Sequence, residues 1–315
     1  MSGRGSREVT AFAPATVGNV AVGFDILGFA LEEPGDRVTV RRIEEPTVRV
    51  GEIRGVAPDL PDRPDENTAT VGLVQLIEDF ELEHGFEVDL DKGVPLGGGM
   101  GGSAASAVAA VVAAGEWLEE PLSRPRMLEY ALLGESVASD AVHGDNVAPS
   151  LYGGLTLIRS LQPVDVVSIP VPDSIRYVVV RPDHRIATEE ARKVIPGKLP
   201  LASYVDQSAN LAGFLAGCYR SDLELLDRSL ADMLIEPHRS PLIPGFGAVR
   251  DAAVEAGAVG CSISGAGPSL FAWSHPPDSA EQVAEAMVEA FERRGIEAES
   301  WRGRVWERGA RVVDS

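Results

Sequence analysis

Short runs of apolar and β-branched residues open the chain. Val9–Ala13, Ile26–Leu31, Val38–Arg42 and Val48–Val50 read as strands, separated by Gly, Pro and charged turns. Over Thr68–Phe80 the period changes, with Val71, Val74, Leu76, Ile77 and Phe80 at helical spacing. Phe86–Leu90 alternates like a strand. A helix of small residues is predicted over Ser103–Trp117 and another over Pro125–Val137, with Pro125 at a helix start, where a missing N–H costs nothing. The second half predicts strands at Gly154–Ile158, Val164–Ile169 and Tyr177–Val180, then helices at Thr188–Val194, Ala202–Tyr219 and Leu223–Met233. It closes with strands Ser262–Ser264 and Leu270–Trp273, a helix Ala280–Arg294 and a strand Glu297–Trp301. This order is α+β in both halves. A boundary near residues 155–170 divides the chain into 1–160 and 161–315, and no internal repeat is visible.

Composition narrows the classes. A chain of 315 residues with 44% hydrophobic content can bury cores in two domains sharing a cleft. The formal net charge of −20 argues against a nucleic-acid partner, which needs a basic footprint. Arginine is plentiful, while Lys92, Lys193 and Lys198 are the only lysines. Adaptation to a salt-rich cytoplasm, where acidic charge is screened, accounts for this; an ordinary acidic protein from a high-GC genome is the alternative. The start MSGRGSREVT has no apolar segment of the secretory kind, and the apolar run Ala104–Ala114 is too short to span a bilayer. Cys218 and Cys261 are too few for a disulfide framework or a Cys-based zinc site. A soluble cytoplasmic protein with no membrane partner is expected.

The strongest chemical feature is VPLGGGMGGSAAS, residues 94–106, with five glycines between Gly97 and Gly102. Such a run lets backbone N–H groups approach an anion, and the following helix aims its N-terminal dipole at the same point. Ser103 adds a hydroxyl for a phosphate or a metal. The spacing Gly97-x-Gly99-x-x-Gly102 matches a dinucleotide fingerprint only formally, because it lies far along the chain and Pro95 separates it from the preceding strand. A Walker A loop is absent, since Gly197-Lys198 is followed by Leu and Pro. A turn that merely packs a helix rarely uses so many glycines.

Three other segments are weaker taken singly. In APATVGNVAVGFDILG, residues 13–28, Asn19 and Asp25 could simply cap turns. In ESVASDAVHGDNVAP, residues 135–149, Glu135 suits Mg²⁺, though a helix glutamate is more often a solvated face. SISGAGPSL, residues 262–270, either supports the first glycine loop or is a hairpin turn.

Together and in this order these segments resemble the GHMP kinases, the galactokinase–homoserine kinase–mevalonate kinase superfamily, and in particular its homoserine kinase branch. The family's phosphate loop is matched from Pro95 to Ser106, with RIATEEAR (residues 185–192) and EPHRSPLIPGF (residues 236–246) as further matches. Departures are Met100 for a leucine, and Gly102 with Ser103 for paired serines, which puts phosphate affinity in question. The resemblance implies an N-terminal mixed α/β domain carrying the phosphate loop and a C-terminal ferredoxin-like α+β domain. It implies transfer of the ATP terminal phosphate to L-homoserine, in threonine biosynthesis, with Mg²⁺ held by Ser103 and Glu135. Nucleotide contacts are expected from Asn67, Pro95, Leu96, Gly97, Gly98, Gly99, Met100, Gly101, Gly102, Ser103 and Ala104. Acceptor contacts are expected from Asn19, Asp25, Asn146, Thr188, Arg192, Arg239 and Gly265, with Arg192 and Arg239 on the carboxylate, Asp25 and Asn19 on the ammonium, and Asn146 and His143 near the hydroxyl. Asn146 cannot take a proton at neutral pH, so catalysis without a strong side-chain base is expected. A homodimer is a further expectation. A kinase for mevalonate or shikimate stays open as an alternative, as does a sensor without turnover; Asp25 argues against the first, and Ser103 with Glu135 against the second.

Overall fold

The computed structural model describes residues 8–138 and 143–314. Strands β1 (Glu8–Gly18), β2 (Leu27–Ile43), β3 (Val48–Gly55), β4 (Gly85–Lys92), β5 (Leu155–Leu161), β6 (Val164–Ile169) and β11 (Arg311–Asp314) form one sheet. Its order is β11-β1-β2-β4-β3, with β5 pairing β2 and β6 pairing β5. Helices α1 (Thr68–Asp79), α2 (Gly102–Gly115) and α3 (Arg124–Ala138) pack together, and α2 also lies against β1 and β2. Alanine and valine make α2 apolar all round, and accordingly Ala104–Gly115 is buried throughout. The short α4 (Val147–Tyr152) closes this half.

The second sheet has strands β7 (Arg176–Pro182), β8 (Ala258–Ile263), β9 (Leu270–Ser274) and β10 (Ala298–Gly303), ordered β10-β7-β9-β8 and antiparallel throughout. Around it lie α5 (Thr188–Lys193), α6 (Leu201–Arg220), α7 (Leu223–Ser229), α8 (Glu236–Arg239), α9 (Phe246–Glu255) and α10 (Ser279–Glu292). The strand order is that of a ferredoxin-like unit. Alternation along its strands divides two cores. Tyr177, Val179, Phe271 and Trp273 join the core of the first half, while Val178, Val180, Leu270 and Ala272 pack under α9 and α10. Phe29 of β2 is the pin between halves, with its ring 6.1, 5.8 and 6.0 Å from those of Tyr177, Phe271 and Trp273.

The two early strands expected at 26–31 and 38–42 are one strand, β2. It runs through the Glu32–Asp36 stretch because β1 pairs with both parts across a register shift between Pro14 and Thr16. Helices α4, α8 and α9 and strand β11 were not predicted. In α9, Phe246, Val249 and Ala253 form a buried face, but nearby prolines and glycines dilute the period. The helix expected to reach Met233 stops at Ser229. Beyond it Asp232 accepts the backbone N–H groups of Leu234, Ile235 and Glu236 at 2.9–3.0 Å, starting the turn that carries Arg239. The division at 160/161 falls inside the β5–β6 hairpin, and β11 returns from the chain's end to the first sheet. No described helix is long and apolar enough to cross a membrane.

A buried polar knot underlies the glycine loop. Lys92 and Asp36 have side chains 1% exposed and form an ion pair. The Lys92 ammonium also donates to the Gly102 carbonyl at 2.8 Å and to Ser106 Oγ at 2.7 Å. Asp36 accepts from the N–H groups of Gly93 and Val94, both at 3.0 Å, and from the Ser106 hydroxyl at 2.7 Å. Removing one member leaves the others buried and uncompensated. Lys92→Met should therefore lower the unfolding free energy by ~3–5 kcal/mol in urea titration, whereas Lys198→Met, at the surface, should leave the midpoint unchanged.

Candidate active site

The glycine loop joins β4 to α2 over a cavity lined by Pro95–Ser103, Glu135, Asn146, Ile186, Thr188 and Gly265–Gly267. Gly97, Gly99 and Gly101 have φ of +63°, +72° and +65°, a region that disfavours any side chain. Gly101 caps α2, whose first turn carries Ser103. The Ser103 hydroxyl bonds the Glu135 carboxylate from α3. Burial pushes the Glu135 carboxyl above its ordinary range, and the serine bond opposes that shift. The second glycine segment is both things expected of it. It turns the β8–β9 hairpin, with Ser264 N–H on the Ser269 carbonyl at 2.8 Å, and it supports the first loop. Ser264 Oγ donates to the Gly99 carbonyl at 2.7 Å, and Ser269 N–H to that of Gly98 at 3.3 Å.

The end of β1 leads into a tight loop. Asn19, Val20 and Ala21 all have left-handed φ, of 68°, 43° and 55°, unusual for residues with side chains and costly for valine. Asn19 holds the turn together. Its Oδ1 accepts the Asp25 N–H at 2.9 Å, its Nδ2 donates to the Gly265 carbonyl at 2.8 Å, and its own N–H reaches Asp145 at 3.1 Å. Asp25 does not stand apart from Arg192: two guanidinium nitrogens grip its carboxylate at 2.9–3.1 Å. Arg192 also donates to His143 Nε2 at 2.7 Å. Burial lowers the His143 pKa; Asp25 acts against that, and Arg192 and Arg239 add to it. Arg239 is 4% exposed and donates to the carbonyls of Ala191 and Gly265 at 3.0 and 3.1 Å. Among the described residues no carboxylate comes within salt-bridge distance of it. Both guanidinium groups lie on Phe24, 5.0 and 5.1 Å from the ring centre.

The expected residues converge apart from Asn67 and Ala104. Gly265 belongs to the glycine-loop cavity and to a smaller adjoining one lined by Asn19, Phe24 and Arg239. Asn67 lines neither. Its Oδ1 caps α1 at the Ala69 N–H, 3.0 Å away, and its Nδ2 donates to the Pro61 carbonyl at 2.7 Å, so its amide serves the local turn. Ala104 is buried in α2 behind the lining residues. Several contributors were not singled out from sequence. Arg181 lies against the loop, where a Cβ at Gly98 would be 3.0 Å from its Cδ. Thr16 donates to Asn146 Oδ1 at 2.9 Å. Asp145, 3% exposed, has its pKa raised to about 7, chiefly by burial and further by Asp25 and Glu135. An acidic residue beside the expected Asn146 was the available signal, but a lone aspartate in a polar loop reads as a turn residue.

The chain matches the family models for the GHMP kinases N terminal domain over residues 67–154 and for GHMP kinases C terminal over residues 214–293. It is 48% identical over 308 residues to a homoserine kinase of Xylella fastidiosa, covering 98% of this chain and 95% of that protein. It is 45% identical over 298 residues to one of Xanthomonas campestris, covering 95% and 92%. The crystal structure of a homoserine kinase from Cytophaga hutchinsonii superposes with a TM-score of 0.94 at 40% identity, over 99% of both chains. A mevalonate kinase of L. major, 15% identical with a TM-score of 0.70 over 95% of this chain and 98% of that one, shares the fold.

Asp145 makes a pH-dependent prediction. Folding raises its pKa from an ordinary 3.8 to about 7, so the fold prefers the neutral carboxyl. That contribution is fully present below about pH 4 and is lost as the pH rises through about 7. Asp145→Asn keeps an acceptor for the Asn19 N–H but removes the titration. The stability of the variant minus that of the parent should rise by up to ~4 kcal/mol across this window and then level off. Denaturation at stepped pH measures it, and a flat difference would contradict the assignment.

Proposed function

The chain belongs to the GHMP kinases, and within them to the homoserine kinases, and we propose the following roles for its residues in their reaction. The enzyme transfers the terminal phosphate of ATP to the side-chain hydroxyl of L-homoserine, giving ADP and O-phospho-L-homoserine, a step in threonine biosynthesis. The acceptor oxygen forms the new bond to phosphorus as the bond to the bridging oxygen of ADP breaks. One observation carries the assignment of roles: the glycine loop, Ser103 and Glu135 share a single cavity with Asn146, Thr188 and Gly265. This supports a reading in which phosphate donor and hydroxyl acceptor meet in that cavity.

Backbone N–H groups of Gly97–Ser103 and the α2 N-terminus hold the phosphates, where alignment and charge stabilisation matter more than covalent help. Ser103 and Glu135 fit a metal contact, because a buried carboxylate bonded to a hydroxyl lies at the cavity wall. Mg²⁺ needs only one or two carboxylates, because it takes most of its ligands from phosphate and water. Mg²⁺ bound there would neutralise phosphate charge. The formal net charge of −20 supports function in concentrated salt.

On the acceptor side Asp25 and Arg192 neutralise each other. An arriving amino acid gives its carboxylate to Arg192 and Arg239 and its ammonium to Asp25, so both charges stay matched. A ligand with only a carboxylate would strand Asp25, an outcome that is costly in a half-buried site. His143 and Thr188 flank the hydroxyl, near Asn146.

ADP release is to be followed in molar KCl with ATP, Mg²⁺ and either L-homoserine or 4-hydroxybutyrate, which lacks the amine. L-homoserine should turn over and 4-hydroxybutyrate barely. Arg239→Ala should lower kcat/KM for L-homoserine by ~100-fold or more. Asp25→Asn should shrink the preference for L-homoserine by ~10-fold or more. An undiminished preference in that variant would sink the assignment of Asp25 to the ammonium.

A further inference from the structure

Thr16 is fully buried at the end of β1 and touches both halves of the reaction centre. Its N–H donates to the carbonyl of Met100 in the phosphate loop at 3.0 Å. Its hydroxyl donates to Asn146 Oδ1 at 2.9 Å. A Cβ at Gly101 would lie 2.1 Å from Thr16 Oγ1 and 3.0 Å from Asn146 Oδ1, so loop, threonine and amide are packed without slack. On the amide's other side Asn146 Nδ2 faces Asp145 Oδ1 at 3.4 Å, in space that exists because residue 18 is glycine; a Cβ there would come within 2.8 Å of Nδ2.

A primary amide has an accepting and a donating end, and a half-turn exchanges them. Here the two ends meet different partners, a hydroxyl donor from β1 and a carboxyl oxygen. We propose that Thr16 is a positioning residue for phosphoryl transfer: its hydroxyl holds the Asn146 amide with the oxygen turned to β1 and the N–H₂ turned to the acceptor hydroxyl. The inference rests on the reading that Asn146 lies beside that hydroxyl. Asn146 then donates to the attacking oxygen through one lone pair, while the other lone pair forms the bond to phosphorus. It cannot draw the hydroxyl proton, which leaves to water or to a phosphoryl oxygen. Through its N–H on Met100, Thr16 also ties this oxygen's position to that of the phosphates, so attack and departure stay in line.

Steady-state kinetics and thermal midpoints of Thr16→Val, Thr16→Ser, Asn146→Ala and Asn146→Asp test it. Thr16→Val keeps the shape and deletes only the hydroxyl. Its kcat should fall ~10–100-fold, with KM for ATP within ~2-fold of the parent and the midpoint little changed. Thr16→Ser should restore kcat to within ~3-fold of the parent. Asn146→Asp should be at least as impaired as Asn146→Ala, because a carboxylate cannot donate. Parental kcat in Thr16→Val alongside an impaired Asn146→Ala would overturn the role of Thr16 alone. Full turnover in Asn146→Ala would instead overturn the placement of the acceptor. Should Thr16→Val not fold, the other variants decide. A ~10-fold loss in Thr16→Ser, or an Asn146→Asp enzyme faster than Asn146→Ala, would each refute the proposal.

Discussion

The Lys92 ammonium has three N–H bonds and meets three acceptors: Asp36, the Gly102 carbonyl and Ser106 Oγ. Those partners come from β2 and from the start of α2, while Lys92 itself ends β4, so both ends of the glycine loop are fixed to one point. A loop rich in glycine loses much conformational entropy on ordering and does not hold its own shape. The knot supplies the missing constraint, and the rest of the site inherits it. A planar guanidinium could not present three donors in this compact geometry, which explains a lysine here in a chain that otherwise favours arginine. The charge is fully compensated, so the network adds definition to the loop without leaving an unmatched ion in the core.

From that fixed loop the cleft is assembled out of distant parts of the chain. The β8–β9 turn buttresses the loop through Ser264 and Ser269, and Gly265 receives hydrogen bonds from Asn19 and Arg239. The fused core around Phe29 holds the two sheets in register beneath these contacts. Around Phe24 charge is kept matched by Asp25 with Arg192, while Arg239 is solvated by carbonyls and the Phe24 ring. The result is a site with prearranged charges and a strained, buried turn at Asn19–Ala21.

Local features were legible where local physics decides them. The glycine run, the apolar helix α2, the alternating strand β4 and the short apolar runs of β7 and β9 could be read directly, because each announces itself within a few residues. The family resemblance supplied the acceptor residues, most of which the fold brings together. What escaped depends on partners far along the chain. The four-residue strand β11 exists because β1 offers it an edge, and β2 is continuous because β1 spans its bend. Asp36, Lys92 and Ser106 look like unrelated polar residues until the sheet and α2 bring them together. Thr16 lies in the glycine-punctuated segment 13–28 yet gains meaning only beside Asn146, 130 positions away. The pairing of Asp25 with Arg192 likewise joins residues that the sequence assigns to opposite ends of a ligand.

Of the three lysines, Lys193 and Lys198 are exposed and Lys92 is sealed under the loop. To an amine-directed acylating reagent the folded protein therefore offers two lysine side chains, and the third only when the base of the loop opens. Covalent uptake at that one position would count every opening of the base of the glycine loop, global unfolding included. The chain thus carries an intrinsic chemical reporter at the place where its architecture is most constrained.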